Sequence, residues 1–561
     1  MKIDVKLTSS LTRNYPGAPL PSASLKAGDA ALNERFSFQI AAKTDGDAVV
    51  KASVSAPEGW SIRVRRVGTV PVPHRNTGSS DMPLDNEPAQ AIPGFVPDPL
   101  FDETSASVAA GESAVFWVTA TPPPDAEPGR FALTATAAPF NIYNADEPAG
   151  KPVSRKLAAT LHNVRIAPRR GFDITFWFYC DCLFDRYGTV GFDERFWPLF
   201  EAYVRDIAQH GQNVLYVPLF TPPLDGVKRP TQLLKVSRAG KSRYKFNWDD
   251  VRRFVRIAKK CGIEKFEWCH LFAQWGCRHA LRIYAGQGLD EKLLWPEDTP
   301  ATSGIYRDFL AQLLPELRRF LREERIEGKS IFHISDEPDG DEAKANYKAA
   351  KEMLLSLAPE MKFCDAVSHL DFGKDHIIDV PVPVIYTALD FIGAGLECWC
   401  YYCCAPKGGY LQHLIDTPLA KVAMHGLLFY RWPFRGFLHW GLNYWIRRGT
   451  RIPIDPYSTL DAHAWPVWSH GDTFLIYPGE DGPVDSIRWE VFAESMQDYA
   501  LLQTLGVGRD DPLLRPLKSF SDFPKDASWR LALRRKLFAK ADKAGARGKA
   551  PHISKMTAGK R

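Results

Sequence analysis

The chain has 561 residues, of which 45% are hydrophobic and 24% charged, values typical of a globular protein with about two to four domains. Its net charge of +5 is local: eleven Lys/Arg accompany the single acid Asp542 between Arg530 and Arg561, leaving the rest slightly acidic, so no basic groove for nucleic acid is expected. No apolar run reaches the ~18 residues of a membrane span.

In chain order, residues 1–168 carry short strand patterns separated by turn residues: Phe36–Ala42, Val49–Val54, Ser61–Val67, Ala114–Ala120, Phe131–Ala137 and Arg155–Ile166. Pro122-Pro123-Pro124 and Pro128-Gly129 punctuate them and helical periodicity is absent, which predicts a β-sandwich. MKIDVKLTSS lacks an apolar signal-peptide core. All ten cysteines lie between Cys180 and Cys404, mostly in apolar runs, so reduced thiols and a cytoplasmic location are expected. The C-x-C and C-C spacings of Cys398, Cys400, Cys403 and Cys404 differ from common zinc knuckles, and no metal or cofactor is expected.

From residue 169 strands alternate with amphipathic helices, the mark of a parallel sheet. The strands are expected at Ile174–Tyr179, Asn213–Leu219, Lys265–Leu271, Ser330–Ser335, Lys362–Val367, Val382–Thr387, Glu397–Tyr402 and Gly436–Trp440. Helices are expected at Glu194–His210, Trp248–Cys261, Tyr306–Glu324 and Asp341–Leu357, with Ser486–Leu505 closing the domain. Eight strand–helix units fit a (β/α)8 TIM-like barrel over 169–510; an open doubly wound sheet is the alternative, but no Gly-rich phosphate loop follows the first strand. A helical extension of two basic helices is expected over 511–543, then a disordered basic tail over 544–561.

The densest chemistry is Ile331-Phe332-His333-Ile334-Ser335-Asp336-Glu337-Pro338. Alternation puts His333, Ser335 and Glu337 on one strand face, Pro338 ends the strand, and Glu337 before it is biased towards extended backbone. Adjacent carboxylates at a strand's C-terminal end are where such a barrel keeps its catalysts. Other strand ends contribute Tyr179 and Asp181, Trp268 and His270, Tyr386, Trp399 and Tyr401, and His439, Trp440, Asn443 and Trp445, with Trp275 in a loop. Aromatic walls with a few polar groups suit a sugar, whose ring has apolar faces and polar edges, so the expected partner is a carbohydrate substrate.

Glycosidases generally use two carboxylates about 5–9 Å apart. Here a later-strand partner is lacking: Glu397 opens its strand rather than closing it, and Asp390 is the fallback. A 2-acetamido sugar solves this by supplying its own nucleophile, the acetamido oxygen, so that one acid protonates the leaving oxygen and a neighbouring carboxylate orients the acetamido N–H. Like-charge repulsion would raise one of the two pKa values. A two-carboxylate glycosidase on a neutral sugar and a non-catalytic carbohydrate-binding protein remain as alternatives.

Over about residues 90 to 500 the chain resembles domain-of-unknown-function family 4091, grouped with the glycoside hydrolase family 123 catalytic domain. The resemblance rests on Val96-Pro97-Asp98-Pro99-Leu100, His270-Leu271-Phe272-Ala273-Gln274-Trp275-Gly276, His333-Ile334-Ser335-Asp336-Glu337-Pro338, Trp399-Cys400-Tyr401-Tyr402-Cys403-Cys404, Gly436-Phe437-Leu438-His439-Trp440-Gly441-Leu442-Asn443 and Gly471-Asp472-Thr473-Phe474-Leu475-Ile476-Tyr477-Pro478-Gly479. It implies a sandwich plus barrel and substrate-assisted removal of β-linked N-acetylgalactosamine, with Asp336 orienting the acetamido group and Glu337 as general acid/base. Where relatives often carry Asn-Arg-Phe, this chain has Gln412-His413-Leu414, a departure that bears on sugar preference.

Overall fold

The computed structural model describes residues 1–76, 92–224, 229–240 and 242–545, the side chains of 544 and 545 excepted; the tail expected to be disordered lies almost entirely outside them. The chain forms two compact units, one of 1–170, 407–432 and 484–561, the other of 171–406 and 433–483.

The first unit is built on two β-sheets. One orders its strands Ile3–Ser9, Phe36–Thr44, Ser113–Thr121, Ser61–Val72, Gly94–Phe101 and Pro483–Ser486, all antiparallel neighbours. The other runs Ala27–Ala31, Val153–His162, Gly129–Asn141, Ala48–Ser55 and Ser105–Val108. Alternation sends Phe38, Ile40, Phe116 and Val118 from the first sheet and Val50, Leu133, Ala135 and Leu157 from the second into one shared apolar core.

The opposite face of the first sheet is apolar too, and this decides where the later segments go. Ala41, Val115 and Trp117 pack against Leu419, Val422, Ile487 and Val491, which lie on the helices Leu419–Val422 and Ile487–Thr504. The helix expected to close the catalytic domain therefore covers this sheet instead, and the contiguous 169–510 span does not describe the observed units. Buried charges pair across the same junction: Arg65 with Asp485 and Glu490, and Arg488 with Asp98 at 2.9 Å. Asp98, one of the residues carrying the family resemblance, thus serves packing. The expected pair of basic C-terminal helices is one helix, Ala527–Gly545, preceded by a single 3-10 turn at Pro512–Leu514. Two of its basic residues are buried: Arg530 and Arg534 both pair with Asp498, and Arg534 also with Glu34.

Among the strands of the second unit, eight short ones succeed one another: β1 (Asp173–Phe176), β2 (Val214–Val217), β3 (Lys265–Trp268), β4 (Ser330–Ile331), β5 (Cys364–Val367), β6 (Val380–Pro383), β7 (Cys400–Tyr401) and β8 (Gly436–His439), apart from the antiparallel pair Lys235–Arg238 and Tyr244–Asn247 and the strand Ile476–Pro478. Parallel ladders join β2 to β3, β3 to β4, β5 to β6, β7 to β8 and β8 to β1. Single parallel bridges, Phe332 with Phe363 and Val384 with Tyr401, link the next pairs. Side chains connect β1 to β2, Ile174 N–H donating to Asn213 Oδ1 at 2.9 Å and Gln212 Nε2 to the Phe176 carbonyl at 3.1 Å.

Helices alternate with these strands for readable reasons. Asp249–Cys261 has Asp249 and Asp250 in its first turn, Lys259 and Lys260 in its last, and Gly262 as a left-handed C-cap. Val251, Phe254, Val255 and Ala258 are buried at helical spacing. The connection from β7 to β8 is the exception, since residues 407–432 belong to the first unit. Among the described residues no helix is long and apolar enough to cross a membrane.

Candidate active site

Five of the eight strands, β1, β2, β3, β4 and β6, stop two to four residues short of their expected C-terminal ends, and residues at and beyond the strand ends form a cavity. It has a volume of about 190 Å³ and is lined by Trp177 and Tyr179 after β1, Leu224 after β2, Gln274 and Trp275 after β3, Asp336 and Glu337 after β4, Ala366 in β5, Tyr401 in β7 with Cys403 and Cys404 after it, Leu438 in β8 with Trp440 after it, and Arg448 and Trp468 from later loops. Both acids of the Asp-Glu pair thus face one space with four tryptophans.

The two acids differ in setting. Asp336 is 8% exposed and accepts from Gln274 Nε2 at 2.9 Å. Burial first and the neighbouring Glu337 second raise its carboxyl to about 8, so it keeps a proton through neutral pH. Glu337 accepts from the Tyr401 hydroxyl. Its backbone is left-handed, φ 44°, against the extended form expected before Pro338. The strand has already ended at Ile331, and the chain must turn into the helix Gly340–Leu357, which overrides the local preference. Such a conformation costs a non-glycine residue about 1–3 kcal/mol and concentrates at functional sites.

A second strained stretch lies opposite. Trp275, Gly276 and Cys277 have φ of 58°, 106° and 55° in succession. A Cβ on Gly276 would stand 2.5 Å from Ala343 Cβ, so the residue is needed for close approach as well. The Trp275 N–H donates to the Asp336 carbonyl at 2.9 Å, tying this loop to the acids.

Beneath the pair lies a buried polar chain. His333 places Nε2 2.9 Å from Glu267 Oε1 and Nδ1 3.1 Å from Asp365 Oδ1. Burial opposes its charged form, but the hydrogen bonds and charges of Asp365 and Glu267 outweigh that and raise it to about 10. Asp365 also accepts from the Ile334 N–H at 3.0 Å, and Glu267 from Trp177 Nε1 at 2.8 Å. His270 stacks on His333 with ring centroids 4.5 Å apart; burial first, then the His333 charge, holds it well below the usual histidine value. His270, His333 and Asp365 present ligand-type atoms within 4.8 Å of one another, but His333 spends both nitrogens on the two acids.

The expected site residues divide clearly. Tyr179, Trp275, Asp336, Glu337, Tyr401 and Trp440 line the cavity. His333, His270, His439 and Asn443 are buried behind it: His439 pairs with Asp472, while Asn443 binds the Tyr179 N–H and carbonyl at 2.8 and 3.0 Å. Trp268, Trp399 and Trp445 were expected at the site and are core residues instead. Trp268 meets Phe320 edge-on, Trp399 sits over Gly436, and Trp445 donates to the Ile476 carbonyl. Trp268 is the last residue inside β3, Trp399 stands just before β7, and Trp445 lies in the connection after β8, and all three are buried outside the cavity lining. Tyr386 is 52% exposed and lines none of this cavity. Asp181 opens the helix Cys180–Tyr187, buried away from the acids, and burial raises its carboxyl to about 7.

The fallback acids are also elsewhere. Asp390 is in the helix Ala388–Gly393, and Glu397 pairs at the surface with Arg435 at 2.9 Å. Sequence reasoning missed Glu267, Asp365, Asp472, Arg448 and Trp468. A charged residue inside an apolar run, as in Phe266-Glu267-Trp268 and Cys364-Asp365-Ala366, is the signal that marks the first two. All ten cysteines are free thiols; burial pushes Cys269 and Cys398 up to about 12. Among the described residues the clusters of three or more ligand-type side chains include none of the four cysteines at 398–404.

The sequence model of the glycoside hydrolase 123 catalytic domain matches residues 177–505. A solved family 123 glycoside hydrolase from Clostridium perfringens, described in connection with glycolipid glycan hydrolysis, superposes with a TM-score of 0.71 at 13% identity, over 98% of each chain. WR4, a C. elegans MSP family member, is similar over 24% of this chain and 91% of its own, at 10% identity and a TM-score of 0.14, too low to carry an argument. No curated protein sequence matches the chain.

Proposed function

The chain belongs to glycoside hydrolase family 123, and on that premise we propose that it is a retaining hydrolase of β-linked 2-acetamido sugars, N-acetylgalactosaminide-like, whose substrate supplies the attacking oxygen. We read β1 to β8 as a (β/α)8 cylinder, with the acids at the carboxyl ends of its strands.

The observation that carries this reading is the pairing of Asp336 and Glu337 in one small cavity whose described lining holds no third carboxylate. A two-carboxylate mechanism needs a partner across the sugar. In support, Asp390 is on the helix Ala388–Gly393, Glu397 pairs with Arg435, and neither is among the residues lining the cavity. With the acetamido oxygen as nucleophile, it bonds to the anomeric carbon as the glycosidic C–O bond breaks. Glu337 donates its proton to the leaving oxygen. Asp336 accepts the acetamido N–H and stabilises the positive oxazolinium; that donor and that charge favour its carboxylate, so on substrate binding the proton that Asp336 holds in the empty site passes to Glu337, which is the one later donated. Water then attacks the anomeric carbon, Glu337 recovers a proton, and two inversions give net retention.

The test compares aryl β-glycosides that differ only at C2. The 2-acetamido glycoside is cleaved and the 2-hydroxy analogue is not; equal turnover of both defeats the substrate-assisted step. Trapping of a covalent glycosyl-enzyme by a 2-fluoro sugar favours a protein nucleophile, and tight binding without turnover across the panel favours a lectin-like protein.

A further inference from the structure

The turn after β7 carries chemistry that the hydrolytic mechanism leaves unused. Cys403 and Cys404 both line the acid cavity, and their Sγ atoms stand 3.8 Å apart. Adjacent residues do not do this by default, because in extended chain neighbouring side chains point to opposite faces. Here β7 has ended at Tyr401, and in the turn that follows the Cys403 N–H donates to the Ala405 carbonyl at 3.1 Å. The turn brings both thiols to one side. The cysteines at the strand itself differ: Cys398 and Cys400 are buried, and Cys400 Sγ meets the Gly436 carbonyl at 3.7 Å, as a small packed side chain does.

The spacing of the two sulfurs suits a single ion. Two thiolates each ~2.3 Å from a tetrahedral zinc-class ion stand ~3.8 Å apart, so the bite is set before the ion arrives. Thiolates select such cations over Mg2+ and Ca2+, which take oxygen ligands. The surroundings are acidic as well. The hydrogen bond with Cys404 first, and burial next, push the Cys403 thiol well above its ordinary value, and the Asp472 and Glu337 carboxylates add to this. The negative field that keeps a proton on the sulfur attracts a divalent cation in its place.

We propose that Cys403 and Cys404 form a two-thiolate site for a divalent cation of the zinc class in the wall of the acid cavity, and that an ion held there stops hydrolysis. As it binds, two S–H protons pass to solvent, two metal–sulfur bonds form, and the ion sheds the waters that the sulfurs displace. Its remaining positions keep water and face the cavity, which makes the site exchangeable where a structural zinc site is closed by four protein ligands. The ion's charge beside Glu337 holds that group as its carboxylate, which has no proton for the leaving oxygen. This effect on hydrolysis rests on the reading of the acids given above; the ion site does not.

The test titrates the metal-free protein with Cd2+, whose bonds to thiolate sulfur give an ultraviolet charge-transfer band, and measures inhibition of aryl 2-acetamido glycoside hydrolysis by Zn2+. The wild type is compared with Cys403→Ser, Cys404→Ser and the double variant, each rate taken relative to the same protein without metal. Circular dichroism verifies folding, and the single variants carry the comparison if the double variant unfolds. The wild type is expected to show the band, saturating at a single ion per chain, and the double variant to lose it. The Zn2+ concentration for half-inhibition is expected to rise about tenfold or more in the double variant, a loss of about 1.4 kcal/mol. Mg2+ is expected to inhibit neither protein. A band of equal size in both proteins, or no band in either, overturns the ion site. A band lost with the thiols while Zn2+ inhibition is unchanged keeps the site and overturns its effect, assigning the inhibition to the carboxylates. If the glycoside is not cleaved, the reading of the acids fails and the band alone decides the site.

Discussion

The Tyr401 hydroxyl donates to the Glu337 carboxylate, joining β7 to the acid that follows β4. The same tyrosine sits two residues before Cys403 in the cavity wall, so one side chain both fills the wall and fixes the carboxylate in it. Tyr401→Phe keeps the ring and removes only the donor. Glu337 becomes charged as it gives its proton to the leaving oxygen, and a hydrogen bond to a charged group contributes about 1.5–3 kcal/mol. We expect kcat on an aryl 2-acetamido glycoside to fall about 10- to 100-fold, with the melting temperature moved by only a few degrees. Unchanged kcat shows that the hydroxyl is incidental to Glu337.

Asp336 gives a stability signature with a definite sign. Its carboxyl is raised from the ordinary aspartate value to about 8, burial first and Glu337 next. A folded-state value above the unfolded one means the folded state binds the proton more tightly. That advantage is complete below about pH 4 and is lost as pH rises towards 8. Asparagine at this position does not titrate. Urea unfolding is therefore expected to show Asp336→Asn gaining steadily on the wild type as pH rises from 4 to 8, with no further gain well above it. The same variant is expected to lose hydrolysis. A constant difference across that range contradicts the raised carboxyl.

The buried histidine acts in the same sense, in a higher pH window. His333 bridges Glu267 and Asp365 and is raised to about 10. For a base, the raised value gives stability that is fully present below about pH 6.5 and is lost as pH climbs through 10. Removing one partner of a buried ion pair typically costs about 3–5 kcal/mol. His333→Leu is expected to lose about that much at pH 7 and to approach the wild type by pH 10 or above, measured as urea midpoints on both proteins. A loss independent of pH assigns His333 to packing alone.

Much of the architecture was legible because it follows from period. Strands such as Phe36–Thr44, expected at Phe36–Ala42, were located to within two residues, and Asp249–Cys261 carries its own charges and cap. The acid pair was legible because two charges end an apolar run. Side-chain direction beyond the strand ends was not. Trp399 and Tyr401 are two apart in sequence, yet Tyr401 lines the cavity and Trp399 is core, since Trp399 stands before the first residue of β7 and Tyr401 is its last, at the end where the acids lie. The division of the chain was also hidden. Ile487–Thr504 is buried nearly all round, so its sequence has no polar face to reveal which sheet it covers.

The reassigned tryptophans can be tested at Gly436. This glycine begins β8, and a Cβ there would stand 2.5 Å from the Trp399 ring. Trp399 is 5% exposed and has little room to retreat. Gly436→Ala therefore overpacks the core behind the site, which commonly costs about 1–3 kcal/mol. If Trp399 is a core residue, the variant melts lower while KM for a 2-acetamido glycoside is kept, because the indole does not touch the sugar. Trp399→Phe relieves the clash, so the double variant is expected to recover part of the lost stability, a coupling that independent sites do not show. A raised KM with unchanged melting returns Trp399 to the binding surface.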